Sequence, residues 1–173
     1  MATALDVANY FLAAQDHCER DITNLKLQKL CSYAHAISLA LLGKPLFDEP
    51  LQAWTLGPVI PSVYRKFAEH GGNIIPDTGL SETFAREPFD DEQKFILELT
   101  AANYGWIAPF KLSARSHLDF PGQFGSKKNI PNDGIATAFA GNPAVIKIKQ
   151  LEEKFVKGEG RISEKEVFDA LGA

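Results

Sequence analysis

Thr23-Asn24-Leu25-Lys26-Leu27-Gln28-Lys29-Leu30, continued by Cys31-Ser32-Tyr33-Ala34-His35-Ala36-Ile37-Ser38-Leu39-Ala40-Leu41-Leu42-Gly43, is the stretch on which the fold turns. Thr23 has the chemistry of a helix N-cap, a side-chain oxygen that can accept from a first-turn N–H. Leu27, Leu30, Cys31, Ala34, Ile37, Ser38 and Leu41 then recur at helical spacing and define one stripe, while Lys26, Gln28 and Lys29 lie mostly off it. Gly43 followed by Pro45 is a C-terminal stop. The stretch therefore predicts an amphipathic helix with its lysines and glutamine in water.

Downstream, residues 45–54 alternate poorly and carry turn residues, which predicts short extended segments and at most a small hairpin. Gly57-Pro58 breaks any helix there, and Pro61 suits the first turn of a third helix over residues 60–69, with Val63, Tyr64 and Phe67 buried. Upstream, Thr3 caps a first helix reaching about Gln15. The polar segment 16–21 reads as a loop, with Cys18 a loop thiol and Cys31 packed. Residues 73–88 read as an irregular surface loop with a short strand at Ile74-Ile75. Asp90 caps the next helix, and further helices are expected over 109–118, 132–139 and from Asn142-Pro143 to about Lys157. Gly158-Glu159-Gly160 reads as a hinge, and Ser163 with Glu166 as a capping box for a last short helix. The prediction is a mainly α, single compact multi-helix domain: residues 1–141 form its body, and 142–173 a helical extension packed on it or flanking it.

The 173 residues suit one domain, and 45% hydrophobic with 23% charged residues suits a globular core. The net charge of −4 argues against nucleic acid as a partner, since that needs a basic face. No apolar run reaches the ~18 residues of a membrane span. Asp6 interrupts the first apolar segment and no basic region precedes it, so no signal peptide is expected and a reduced cytoplasm is the expected compartment. Neither cysteine has a second ligand at metal-binding spacing. No cofactor is expected.

Ser113-Ala114-Arg115-Ser116-His117-Leu118-Asp119 invites a Ser/His/Asp reading, a small hydrolase or transferase using His117 with Ser113 or Ser116 and Asp119 as the orienting acid. No Gly-x-Ser-x-Gly elbow accompanies it, and residues this close on a helix ordinarily bond locally. A second alternative is a regulator that binds nucleic acid, which would need one contiguous face built from Lys26, Lys29, Lys127 and Lys128. Trp54, Trp106, Phe47, Tyr64, Phe110 and Phe120 could line a groove, since aromatic rings are enriched at binding hot spots, but they are also the main core filler and most are expected as core. Trp54 beside Gly57-Pro58 reads as a buried anchor, so that Trp54→Ala should cost ~3–5 kcal/mol.

The run Leu25-Lys26-Leu27-Gln28-Lys29-Leu30, an aromatic at Tyr33, Gly43-Lys44-Pro45-Leu46-Phe47 and Ala53-Trp54-x-x-Gly57-Pro58-Val59-x-Pro61-x-x-Tyr64 together resemble the signature of the Panacea domain family, the SocA-like antitoxins of bacteria and their phages. Tyr104-Gly105, Leu112-Ser113, His117, Pro121 and the segment 130–139 continue the resemblance, which spans about residues 5–139. Two places depart from it: serine, as Ser116, precedes the histidine where the family usually has threonine, and Pro121 is followed by Gly122 in place of tryptophan. The resemblance implies a non-enzymatic role. A protein similar to these would neutralise a cognate toxin by direct binding, or deliver it to an AAA+ protease as a proteolytic adaptor. Leu27, Gln28, Lys29, Leu30, Tyr33, Gly43, Trp54, Gly57, Pro58, Tyr64 and His117 are its signature positions. Lys26, Lys29, Lys127, Lys128 and the 73–88 loop are the candidate partner surface.

Overall fold

In the computed structural model, which describes residues 1–156, the helix begun at Thr23 is the axis of the molecule. It is α2 (Asn24–Leu42): the Thr23 hydroxyl accepts from the Lys26 N–H at 3.2 Å, and the chain leaves it at Gly43 with φ 67°. Before it, α1 (Ala4–Ala13) starts with a capping box in which Thr3 and Asp6 each accept the other's N–H. After it come the strands β1 (Gln52–Trp54) and β2 (Gly57–Val59), then α3 (Pro61–Lys66), α4 (Glu82–Arg86), α5 (Asp91–Tyr104), α6 (Pro109–Asp119), α7 (Asn132–Phe139) and α8 (Pro143–Val156). The strands form one antiparallel hairpin with Gln52 opposite Val59 and Trp54 opposite Gly57. The mainly helical architecture with a single small hairpin agrees with the expectation.

The amphipathic reading of α2 is corrected. α1, α3, α5, α6, α7, α8 and β2 all pack against it, and from Asn24 to Leu39 every residue except Leu25 is buried, Lys26, Gln28, Lys29, Ser32, His35 and Ser38 included. A helix surrounded on all sides has no wet face, so its polar residues are held by partners rather than by water. The Ser32 hydroxyl donates to the Gln28 carbonyl at 2.7 Å and that of Ser38 to Lys44 at 2.9 Å. His35 lies against the Phe47 ring at 4.3 Å with Nε2 3.1 Å from the Asn132 side-chain oxygen, and burial holds its pKa below the ordinary value. Around the middle of α2, Tyr33 stacks on Tyr104 at 4.0 Å, and Phe120 and Phe139 meet its ring nearly edge-on at 5.1 and 5.8 Å.

Other boundaries differ in detail. α1 stops at Ala13, and a 3-10 turn over Gln15–Cys18 buries Cys18, which is therefore a packed thiol, pushed up by desolvation to about 11. Residues 73–88 contain α4, capped by Ser81, and the expected strand is an isolated bridge between Ile74 and Thr23. Ala144, Val145 and Ile148 of α8 join the core. The expected hinge at Gly158-Glu159-Gly160 and the box at Ser163 and Glu166 lie outside the described residues.

Candidate functional site

The N-terminal half of α2 fixes the hairpin from beneath. Lys26 Nζ donates to the carbonyls of Gly105 (2.6 Å) and Cys18 (3.1 Å) and pairs with the Asp21 carboxylate. Lys29 Nζ donates to the Pro58 carbonyl at 2.9 Å, and burial lowers its pKa from 10.5 to about 7. The Gln28 amide donates to Asn24 at 2.9 Å, its oxygen accepts from the Ile60 N–H at 3.0 Å, and Asn24 in turn donates to the Tyr64 carbonyl at 3.1 Å. The first two turns of α2 thus hold β2, α3 and the tip of α5. The expectation that Lys26 and Lys29 stand exposed toward a partner is overturned, because both side chains are wholly buried. The four-lysine basic face accordingly does not form; Lys127 and Lys128 are exposed without them.

From above, α6 fixes the hairpin tip. The Ser113 hydroxyl donates to the Leu56 carbonyl at 2.7 Å, and His117 Nε2 lies 2.9 Å from the Thr55 carbonyl, with Nδ1 2.9 Å from that of Ser113. The Ser116 hydroxyl donates to the Ser113 carbonyl at 2.6 Å, and Asp119 accepts from the Tyr33 hydroxyl at 2.6 Å and from Arg115 at 3.3 Å. Neither hydroxyl meets the imidazole, nor the imidazole the carboxylate. The Ser/His/Asp residues do not assemble a nucleophile–base relay; they are fasteners, as local bonding on one helix predicts. Gly57 shows why the turn is tight: its φ is 105°, and a Cβ there would stand 2.4 Å from the Ser116 hydroxyl oxygen and 3.1 Å from Lys29 Cε.

The hairpin so fastened, α3 and the start of α6 enclose an open cleft of about 440 Å³, walled by Trp54, Leu56, Val59, Tyr64, Pro109 and Phe110 with Gln28 and Lys127 at its margins. Trp54 and Tyr64 are in ring contact at 4.9 Å, Lys127 Nζ lies 5.2 Å over the indole, and the indole N–H donates to Gln52 at 3.0 Å. Three sequence expectations are corrected here. Trp54 is half-buried, Tyr64 is exposed, and Phe110 is 75% exposed, so these rings are a wall and not core. Trp106 too is exposed, whereas Phe47 and Phe120 are core as expected.

Of the signature positions, Gln28, Trp54 and Tyr64 reach this cleft, while Leu27, Leu30 and Tyr33 are core. Lys29, Gly57, Pro58 and His117 do not line it but belong to or fasten the hairpin that walls it, and Gly43 ends α2. Phe110, which the sequence offers as a groove-lining ring but ranks with the core, lines the cleft, and Pro109 and Leu56 join it without a sequence signal for a site. Phe110, Ala114 and Leu118 recur every four residues on one face of α6 and all are exposed, a period that was legible but whose outward direction was not. No described helix is long and apolar enough to cross a membrane.

Comparison with known proteins meets the same residues. The family model for Antitoxin SocA-like, Panacea domain matches residues 27–120, the interval from α2 through the cleft to the end of α6. The chain is 42% identical over 118 residues to Antitoxin SocA of Caulobacter vibrioides (strain NA1000 / CB15N), an alignment covering 64% of this chain and 63% of the relative. It thus spans less than two thirds of that relative's own length. No solved structure matches. With more than half of its residues under the family model, this chain belongs to the SocA-like Panacea domain family.

Proposed function

We propose that this protein is an antitoxin that neutralises a partner toxin by binding it directly, with the cleft between the hairpin, α3 and α6 as the docking site. The observation that carries this reading is the convergence of signature residues on an exposed apolar cleft: the α2 polar turn and the α6 fasteners hold Trp54, Leu56 and Tyr64 in place. A contiguous apolar surface held rigid and open to solvent is what a protein interface requires. The relative named Antitoxin SocA supports the same role. Occlusion of the toxin and its delivery to an AAA+ protease both begin with that docking step.

The test is co-expression with the product of the reading frame beside this protein's gene. The expected result is a growth arrest by that product, relieved by this protein, with the two eluting as one complex. Arrest that persists in its presence, with no complex formed, overturns the reading for that partner. The toxin's half-life in cells separates the two modes: unchanged for occlusion, shortened in a protease-dependent way for delivery.

A further inference from the structure

The hairpin cannot take up an extra strand. The residues whose backbone faces outward are Ala53 on β1 and Pro58 on β2, a directly opposed pair. Ala53 N–H donates to the Lys128 carbonyl at 2.9 Å, and its own carbonyl accepts from Gly125 and Lys127 at 3.1 and 2.9 Å. Pro58 has no N–H to give, and its carbonyl holds Lys29 at 2.9 Å. Both edges are closed, so an occupant of the cleft must enter by side chains, as an amphipathic segment lies in a groove, and not by main-chain pairing. The amides of Gln28 and Asn24 at the margin already serve each other, Ile60 and Tyr64, which leaves apolar contact as the main attraction.

Charge narrows the choice further. The chain carries 22 acidic residues against 18 basic ones, yet among the described residues no carboxylate lines the cleft and the one charged lining residue is Lys127. From Phe110 the apolar surface runs on along α6 to Leu118, which is 87% exposed, with Lys111 exposed on the same helix and Arg115 paired with Asp119 at 3.3 Å. In a net-negative protein this is a locally positive, apolar track.

Resting on the antitoxin reading above, we infer that the partner element entering this cleft is an amphipathic segment whose aliphatic or aromatic side chains fill the space between Trp54, Tyr64 and Phe110, and whose carboxylates face Lys127. Aromatic anchors supply the affinity and the charge sets orientation and encounter rate.

Two synthetic peptides test it: one with leucines at i, i+3, i+4 and i+7 flanked by glutamates, the other identical but flanked by lysines, each measured by fluorescence polarisation. The acidic peptide is expected to bind the wild-type protein at least tenfold more tightly than the basic one. Lys127→Glu should abolish or reverse that preference, Phe110→Ser should weaken the acidic peptide at least tenfold, and Lys128→Glu, beside the cleft, should change it less than twofold. Binding of neither peptide, or equal binding of both, overturns the inference. So does sedimentation showing that a second copy fills the cleft, through self-association lost in Phe110→Ser. Toxin rescue by the same variants separates the two readings. Rescue by wild type and undiminished rescue by both Phe110→Ser and Lys127→Glu sinks the cleft and leaves the antitoxin. Absent rescue by wild type with the expected peptide preference sinks the antitoxin and leaves the cleft chemistry.

Discussion

Beneath the β1–β2 hairpin and beside it, residues sit against their ordinary solvent preference in opposite senses. Below, Lys26, Gln28 and Lys29 are buried; at the cleft, Leu56, Tyr64 and Phe110 are exposed. The difference lies in compensation. Each buried polar group donates to a named acceptor, and Lys26 adds a carboxylate, so the desolvation cost is offset inside the fold. The exposed apolar groups have no comparable compensation among the described residues, and burying them would be favourable by roughly 25 cal/mol per Å². Polar residues inside therefore describe how the scaffold is held, and apolar residues outside describe where binding energy is still available.

The comparison breaks most severely at Gly57, where both regions meet. Gly57→Ala forces a Cβ against Ser116 and a strained positive φ, and should cost about 2–5 kcal/mol in urea unfolding. A stability equal to wild type would show that the hairpin tip yields. Lys26→Ala strands two carbonyls and Asp21. Because the Asp21 side chain is 31% exposed, the loss should fall at about 2–4 kcal/mol, below that of a fully buried pair.

Lys29 sharpens the contrast through pH. Its folded pKa of about 7 lies below the ordinary 10.5, so between those values the unfolded chain binds the extra proton and stability rises with pH. The difference in unfolding free energy between wild type and Lys29→Met should climb by up to about 1.4 kcal/mol per pH unit across that window and be flat below it. Taking the difference cancels the buried thiols Cys18 and Cys31, whose raised pKa values act in the opposite sense at alkaline pH. A flat difference curve would mean that Lys29 stays charged.

The cleft side should respond far less in stability. Trp54→Ala, expected to cost ~3–5 kcal/mol from a buried position, should cost about 1–2 kcal/mol now that the ring is half-buried. Phe110→Ser should lie within about 0.5 kcal/mol of wild type; a clear drop in melting temperature would make Phe110 structural.

The sequence by itself determined the helices and their punctuation. Thr3, Thr23 and Asp90 cap where they should, Gly43 stops α2, and Pro61 and Pro109 open α3 and α6, because capping and proline geometry are local. It also determined the family, since the signature is a pattern of residues and spacings. Only the tertiary structure decided which side of that pattern meets water. Periodicity treats α2 as a surface helix, whereas seven elements surround it, so Lys26 and Lys29 became fasteners. It ranks aromatic rings as core, whereas Trp54, Tyr64 and Phe110 converge from three elements on an open cleft. Burial is set by neighbours distant in the chain, and a one-dimensional pattern carries the period of a helix but not the count of its neighbours.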